Sequence, residues 1–353
     1  MYGTIGLVKT TVSEITANQA LAALIPPFKC DPNYLAHYLI WSRPSWGEFK
    51  SQTTQANING SIVKAFPVRM RTAVEQRRIA EILDTLDDAI RKTEQVIAKL
   101  QLVKQGLLHD LLTRGLDENG ELRDPERHSE QFKDSPLGRI PKEWDIKELA
   151  DLADIRSGIA KNESKAVSNP VWVPYLRVAN VQDGYLDLTE MSQIRVSAKD
   201  IERYAVQDGD LLMNEGGDLD KLGRGALWKG EFEPCIHQNH VFVVRCRAGL
   251  MPEFLDAWTG SSTARRYFIA AGKQTTNLAS INKASLGKLP VIVPSGDEQS
   301  RVNTRISSFD KLLPAEAARL KKLNALKSGL MGDLLTGRVP VCSESEAGVA
   351  SNG

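Results

Sequence analysis

Apolar side chains recur in alternating steps of four and three over residues 75–113, the spacing of a helix that packs along a single seam. Residues 298–336 repeat this pattern without a gap, so that Glu298 corresponds to Glu75 and Thr336 to Thr113. The apolar seam positions are Ile79, Leu83, Leu86, Ile90, Ile97, Leu100 and Leu107 in the first copy, and Val302, Ile306, Phe309, Leu313, Leu320, Leu323 and Leu330 in the second. We therefore predict two long helices that arose by duplication and bury their seams against each other.

The two predicted helices are longer than a core helix needs to be. At 1.5 Å of rise per residue, a helix of 39 residues spans roughly 58 Å, which suits a spacer. Each helix follows its own globular segment, so we expect an antiparallel pair. The copies differ at Pro314, which stands where the first copy has Arg91. Because an interior proline removes a backbone hydrogen bond, we expect the second helix to bend near Leu313.

The duplication extends beyond the helices. Residues 52–54 match residues 274–276, and residues 58–59 match residues 281–282. Further upstream, Gln19 matches Gln238 and Gly6 matches Gly225. Since the second copy begins near Ser135, the first copy lacks the counterpart of residues 135–219 at its front. The sequence therefore predicts one complete unit preceded by a truncated one.

Short elements are predicted between the helices. Residues 1–27 are rich in strand and turn patterns, with a buried strand at residues 20–25, and residues 31–46 favour a helix. Alternation over residues 175–188, with Asp-Gly at 183–184, predicts a hairpin. Loss of the front of the first copy would remove strand partners, so we expect Leu21 and Leu24 to be uncovered.

Composition narrows the class of protein. The 353 residues are 42% hydrophobic and carry 45 basic and 44 acidic side chains, a formal charge of +1. This balance gives no global attraction to nucleic acid or to a membrane, so any basic surface must be local. The chain has no long apolar run and no signal-peptide pattern, which predicts a cytoplasmic protein with no membrane partner. Its four cysteines lack paired spacing, which indicates reduced thiols.

Several short strings, taken in order, resemble one known family. They are IPKEW at 140–144, YLRVANV at 175–181, NEGGDLDKLGRG at 214–225, QTTNLASIN at 274–282, and the helix ends DLLTRG and DLLTGR. Together with the duplication, they resemble the specificity subunit of the type I restriction-modification systems of bacterial defence, over nearly the whole chain. The resemblance implies an α+β protein with two target-recognition domains, the first one N-terminally truncated, separated by two long antiparallel spacer helices.

The resemblance also implies domain boundaries and partners. The expected segments are a truncated first recognition domain at 1–74, a spacer helix at 75–115, a linker at 116–134, a complete recognition domain at 135–297, a second spacer helix at 298–338 and a disordered tail at 339–353. Each recognition domain is expected to read half of a bipartite site on double-stranded DNA. The helices are expected to dock methylation subunits, with restriction subunits joining the assembled complex. With one domain truncated, only the half-site of residues 135–297 should be recognised.

Two loops of the second copy carry the strongest DNA-binding candidates. Glycines in residues 214–225 let backbone amides approach a phosphate that Lys221 and Arg224 can neutralise, although such a loop is often only a turn. Residues 273–282 offer side chains for base edges, or for bonds to their own backbone. The full set is Lys161, Arg177, Asn180, Asn214, Lys221, Arg224, Lys273, Gln274, Thr275, Thr276 and Asn277.

No pattern predicts catalysis, a metal or a cofactor. Cys235, His237, His240 and Cys246 lack the tight pairs of structural zinc sites. The string NPVW at 169–172 lacks the second proline of the amino-methyltransferase tetrapeptide, and there is no Walker loop for ATP. The leading hypothesis is a non-catalytic recognition subunit. The alternatives are a truncated scaffold that binds partner subunits without bipartite DNA recognition, and a stand-alone methyltransferase or nuclease, which the missing cofactor loop disfavours.

Overall fold

The computed structural model describes residues 7–11, 13–14, 16, 21–25, 28–49, 60–160, 169–217, 222–274 and 279–341. The chain divides into two compact units. Unit 1 comprises residues 1–100 and 312–353, and unit 2 comprises residues 101–311. The described residues combine α-helices with sheets whose strand pairs are mostly antiparallel, so the predicted α+β class is confirmed. Within the described residues, no helix is both long and apolar enough to cross a bilayer.

Two long helices and many short elements make up the described residues. The α-helices are α1 (Pro32–Trp41), α2 (Gly60–Ala65), α3 (Ala73–Thr113), α4 (Leu149–Leu152), α5 (Ala198–Tyr204), α6 (Pro252–Thr259), α7 (Ser262–Ala271), α8 (Lys283–Gly287) and α9 (Gly296–Thr336). The strands are β1 (Phe132–Ser135), β2 (Gly138–Pro141), β3 (Asp145–Glu148), β4 (Ala153–Ser157), β5 (Val171–Leu176), β6 (Ser192–Val196), β7 (Leu211–Asn214), β8 (Gly216–Gly217), β9 (Gly225–Leu227), β10 (Ile236–His237), β11 (Val241–Cys246), β12 (Lys273–Gln274), β13 (Ala279–Ser280) and β14 (Pro290–Val293).

Unit 1 is helical in the part that the structure describes. Helix α1 begins after Asp31, whose carboxylate accepts the amides of Asn33 and Tyr34 and so caps the helix. The main core of unit 1 joins α1 to the two long helices through Tyr34, Ile79, Ala80, Leu83, Met331, Leu334 and Leu335. A second, smaller cluster contains the Trp46 ring stacked on the Phe66 ring, with 4.3 Å between the ring centroids.

The strand predicted at residues 20–25 is wrong. Residues 21–25 are described without a strand, and Leu21 and Leu24 are 65% and 45% exposed. An apolar segment forms a strand only where a neighbouring strand offers its backbone, and the described residues of unit 1 contain no strand. Leu21 and Leu24 are therefore uncovered, while residues 52–59, matched in sequence to the second copy, lie outside the described residues.

Each long helix contains 41 residues and ends at the predicted threonine. All of the seam positions are buried or half-buried, whereas neighbours such as Arg91, Glu94 and Lys99 are exposed. Pro314 does not interrupt α9, which is helical over its whole length. The proline therefore removes one helical hydrogen bond without ending the helix.

Each unit contains opposite ends of the two long helices. In unit 1, Leu83 near the start of α3 lies in the same core cluster as Leu335 near the end of α9. In unit 2, Leu111 near the end of α3 shares a core with Val302 near the start of α9. Within each unit, the two helices therefore run antiparallel.

The strands of the described chain lie in unit 2. Its largest sheet has the order β4-β11-β7-β9 and is antiparallel throughout. The central strand β11 is a run of apolar residues, with Val243 opposite Arg156 on one side and Leu212 on the other. Smaller sheets have the orders β10-β5-β6, β12-β13-β8, β14-β3 and β1-β2. Helices α6 and α7 contribute Phe254 and Phe268 to the buried core.

The segment predicted as a linker, residues 116–134, is folded onto unit 2. Leu116 and Phe132 are buried, and β1 pairs with β2. Arg123 forms a buried ion pair with Glu298 at 2.5 Å. The charge of Arg123 in this segment is thus satisfied inside the fold.

Candidate nucleic-acid interface

Two loops that the sequence predicts separately lie side by side in unit 2. Strand β8, in the glycine-rich loop, pairs with β13, and β13 pairs with β12. The amide of Ile281 donates to the carbonyl of Glu215 at 2.8 Å. A Cβ on Gly216 would stand 3.1 Å from the carbonyl oxygen of Ala279, so glycine permits this close approach. The described parts of the two loops, residues 214–217 and 279–282, therefore form one surface.

Two further segments extend this surface through backbone hydrogen bonds. The amide of Glu215 donates to the carbonyl of His240 at 3.0 Å, and the amide of Asn239 donates to the carbonyl of Ile159 at 3.1 Å. The amide of Ile159 in turn donates to the carbonyl of His237 at 3.0 Å. We use the name loop row for these four adjoining segments, residues 157–160, 237–240, 214–217 and 279–282.

The loop row carries a polar side-chain array that sequence reasoning missed. His240 Nδ1 donates to Glu215 Oε2 at 2.5 Å, and the Asn239 side-chain amide lies 3.2 Å from His240 Nε2. The side chains of His240 and Glu215 are 56% and 31% exposed. Imidazole, carboxylate and amide groups in this position can exchange hydrogen bonds with base edges. The sequence had raised His240 only as a metal ligand, and no pattern pointed to its pairing with Glu215.

The neighbouring histidine and cysteines face the interior. His237 Nδ1 donates to the carbonyl of Val241 at 2.7 Å. Burial lowers the pKa of His237 to about 4, so the ring is neutral at pH 7. Burial also raises the pKa of the Cys235 and Cys246 thiols to about 12. Among the described residues, no group of three or more His, Cys, Asp and Glu side chains is placed to hold a metal ion.

Two predicted DNA-binding residues turn inward instead. Asn180 is 3% exposed, accepts the amide of Arg177 and donates to the carbonyl of Asp187. Asn214 is 1% exposed and donates to the carbonyl of Val181 at 2.9 Å. An amide whose donors serve the backbone inside the fold presents none to DNA. Their prediction as DNA contacts is therefore corrected, because both side chains hold the turn of residues 177–187 in place.

The hairpin predicted around residues 183–184 is present only as a tight turn. Val181 and Leu186 form a single bridge, and Gly184 has a φ of 77°. Arg224 lies against this turn, where its guanidinium donates to Gln182 Oε1 at 3.4 Å. The turn thus holds a half-buried arginine at the end of the glycine-rich loop.

The remaining candidates stay predictions. Lys273 is exposed at the start of β12, and Arg177 is half-buried. The backbone of Gln274 is described as part of β12, but its side chain is not. The candidates that lie outside the described residues are Lys161, Lys221, Thr275, Thr276 and Asn277.

A basic cleft borders the loop row, and no sequence pattern predicts it. Its volume is about 580 Å³. Its cations come from β4, α5 and α8, which are far apart in the sequence, so only the fold brings them together. The lining residues are Arg156, Ser157, Gly158, Glu202, Arg203, Tyr204 and Lys283.

Comparison with known proteins gives consistent similarities. Residues 1–102 and 141–325 match the family described as the type I restriction modification DNA specificity domain. The chain is 26% identical over 210 residues to the putative type I restriction enzyme MjaX specificity subunit of Methanocaldococcus jannaschii, covering 59% of this chain and 49% of that protein. It is 25% identical over 271 residues to the EcoKI specificity subunit of Escherichia coli K12, covering 74% and 55%. The chain thus spans about half the length of these curated relatives.

The fold is also similar to a solved structure. The crystal structure of the type I restriction-modification S subunit from M. genitalium matches with a TM-score of 0.52 at 15% sequence identity. The match covers 89% of this chain and 74% of that one. At this identity the likeness is one of fold.

Proposed function

The chain belongs to the type I restriction modification DNA specificity family, and from that membership we propose that it recognises double-stranded DNA as the non-catalytic specificity subunit of a type I restriction-modification complex. Residues 135–297 are the proposed complete recognition domain, and residues 75–115 and 298–338 are the proposed spacer helices. Methylation subunits bind the spacer helices, and restriction subunits join the assembled complex. Methyl transfer and cleavage are assigned to those partners.

The loop row is the observation that carries DNA recognition. It brings glycine-rich backbone, the His240 and Glu215 side chains, and the neighbouring Lys273 to one surface of unit 2. Backbone amides and lysines suit phosphate oxygens, whereas imidazole and carboxylate groups suit base edges in the major groove. One surface thus offers both kinds of contact that sequence-specific binding needs.

Docking of methylation subunits is supported by apolar side chains that the long helices leave exposed. In unit 1 these are Val74, Val96, Leu312 and Leu326, and in unit 2 they are Leu102 and Val103. Val103 and Leu326 occupy equivalent positions of the repeat. A single exposed leucine needs no explanation, but apolar exposure that recurs at equivalent positions is suited to a partner surface.

Sequence-specific binding by the complex reconstituted with methylation subunits tests DNA recognition. Replacing His240 or Glu215 with alanine should change the preference at one base position by ~1–3 kcal/mol. Lys273→Ala should weaken binding to all sequences alike. Lys147→Ala, at an exposed lysine on β3, is the control and should leave both properties unchanged. A complex that assembles but binds all sequences equally would favour the scaffold alternative.

Methylome sequencing of cells that express this chain with its partners defines the motif. A one-part motif, read by residues 135–297, is expected. A two-part motif would show that residues 1–74 also read DNA, and the half-site prediction would then be wrong.

Copurification with methylation subunits tests docking. Val103→Asp and Leu326→Asp each place a charge among the exposed apolar side chains of the long helices and should abolish copurification. Gln101→Asp and Asn324→Asp are matched controls, because these residues are also exposed and occupy equivalent positions of the repeat. If Val103→Asp and Leu326→Asp both retained the partner, these exposed apolar side chains would be ruled out as the docking surface.

A further inference from the structure

The basic cleft holds three cations for which the described residues supply no ion-pair partner. Arg156, Arg203 and Lys283 are all exposed. Arg245 of the same unit, by contrast, is neutralised by Asp210 at 2.7 Å through two parallel hydrogen bonds. Cations left without a partner at a concave surface attract an anionic ligand.

The fold joins two of these cations directly to the loop row. Strand β4 carries Arg156 and enters the loop row at Gly158. A Cβ on Gly158 would lie 2.0 Å from the carbonyl oxygen of His237, so only glycine lets the chain pass there. On the other side, Asn282 ends the loop row and caps α8, whose first residue is Lys283. The backbone of both residues is thus fixed beside the loops that carry the base-reading candidates.

Helix α5 supplies the third cation and, among the described residues, the only carboxylate of the lining. The guanidinium carbon of Arg203 lies 5.3 Å from the centroid of the Tyr204 ring, and this cation–π contact orients it. Glu202 is the carboxylate, so the described lining has an excess of two positive charges over negative ones. A concave, polar and cationic lining suits a phosphodiester better than a base or an apolar ligand.

From this geometry we infer that the cleft binds a backbone phosphate of the DNA whose bases the loop row reads, with Arg156, Arg203 and Lys283 as the contacting groups. The inference rests on the proposed function. Phosphate contacts fix the register and orientation of a protein on the duplex but carry no sequence information directly. The cleft therefore positions the DNA, and the loop row selects its sequence.

Salt-dependent DNA binding by the reconstituted complex tests this assignment. Arg156→Gln, Arg203→Gln and Lys283→Gln should each weaken binding to cognate and non-cognate DNA alike. Each should reduce the slope of log K against log salt concentration by about 0.9, the value for one lost phosphate contact. Glu202→Gln removes a repulsive charge and should strengthen binding. Lys288→Gln is the matched control, because Lys288 is exposed at the end of the same helix but does not line the cleft.

The possible outcomes separate the cleft from the proposed function. Salt slopes equal to that of the unaltered complex in all three variants would overturn the cleft assignment and leave DNA recognition intact. A changed preference at a single base pair would also overturn it, because it would make the cleft a base-reading site. If the unaltered complex showed no sequence preference, the proposed function itself would fail. Because the three side chains are exposed, each variant should unfold at the Tm of the parent chain.

Discussion

The first turn of each long helix contains a glutamate followed by a glutamine, and the surroundings of the glutamine are preserved between the units. Gln76 in unit 1 and Gln299 in unit 2 are both buried. The first accepts the amide of Asp31, which precedes α1, and the second accepts the amide of Met251, which precedes α6. The bond lengths are 2.7 Å and 2.8 Å. A contact made entirely within the repeated unit has thus been kept in both copies.

The glutamates that precede these glutamines have diverged. Glu75 accepts hydrogen bonds from the amide and hydroxyl of Thr72, which form a local helix cap and lower the pKa of its carboxyl group. Glu298 is 2% exposed and binds the guanidinium of Arg123 and the indole Nε1 of Trp144. The same residue therefore serves as a surface cap in one unit and as a buried junction in the other, because the segment after α3 folds over Glu298.

The largest expected effect comes from removing the buried glutamate. Glu298→Ala leaves the Arg123 guanidinium without its carboxylate, and breaking one partner of a buried ion pair costs ~3–5 kcal/mol in the free energy of unfolding. Glu75→Ala is the matched control and should cost about 1 kcal/mol, the usual value of a helix cap. Urea unfolding of the full chain, followed by tryptophan fluorescence, measures both losses. Equal losses would mean that the two junctions do not differ as the structure indicates.

A second divergence surrounds an ion pair that both units share. Lys104 pairs with Asp310 in unit 2, and Lys327 pairs with Asp87 in unit 1. The two pairs are equivalent in the repeat, because Lys104 corresponds to Lys327 and Asp87 corresponds to Asp310. An earlier helix of each unit places a different side chain beside the pair. In unit 1, α1 supplies His37, which lies next to Asp87. In unit 2, α6 supplies an aspartate instead.

This aspartate, Asp256, predicts a pH dependence in unit 2. Burial, with the carboxylate of Asp310, raises the pKa of Asp256 from 3.8 to about 7. Because the folded pKa is the higher one, the fold favours the neutral form. Its stabilisation is complete below pH 3.8 and is lost as the pH rises through 7. Asp256→Asn should therefore be more stable than the parent at pH 8 by a margin on the order of a few kcal/mol.

Urea unfolding between pH 4 and pH 8 measures this difference. The advantage of Asp256→Asn should shrink towards pH 4, where the parent carboxyl group is protonated in the fold. Asp208→Asn, at an exposed position of unit 2, is the control and should follow the parent curve. A constant gap between Asp256→Asn and the parent at every pH would contradict the assignment.

The seams were predictable because the spacing of their apolar residues is a property of each helix alone. A helix brings residues three and four apart to one face whatever surrounds it, and the repeat displays the same face twice. Pro314 does not end α9, and the bend expected near Leu313 stays a prediction. The junction at Glu298 was not predictable, because its partner Trp144 lies 154 residues earlier in the chain.

The candidate site was harder to predict than the helices. Asn180 and Asn214 were misjudged because an amide serves a backbone turn as well as a base edge, and only burial distinguishes the two roles. The cations of the basic cleft lie on separate elements, and no spacing in the sequence connects them. The adjacency of the two predicted loops also could not be predicted, because it depends on the pairing of β8 with β13, which composition does not encode.

A smaller effect is expected where the units agree. Gln76→Ala and Gln299→Ala each leave buried backbone groups without a partner, which costs ~1–3 kcal/mol. The loss should be greater for Gln299, because its side chain makes three hydrogen bonds and that of Gln76 makes two. If one glutamine proved dispensable, the preserved contact would not be equivalent in the two units.

The smallest effect is expected from the reciprocal ion pairs, and it requires double-mutant cycles. Exposed or half-exposed pairs contribute roughly 0.2–1 kcal/mol. The lysine of the unit 1 pair is 17% exposed and that of the unit 2 pair is 30% exposed, so the coupling of Lys327 with Asp87 should be the larger. Single variants would mislead in unit 2, because Asp310→Asn also relieves Asp256 of a neighbouring charge. The double-mutant cycle of Lys104→Met and Asp310→Asn cancels the effect on Asp256, provided that Asp256 responds to each change independently. A larger coupling in unit 2 at pH 5, where Asp256 is neutral, would contradict the order expected from exposure.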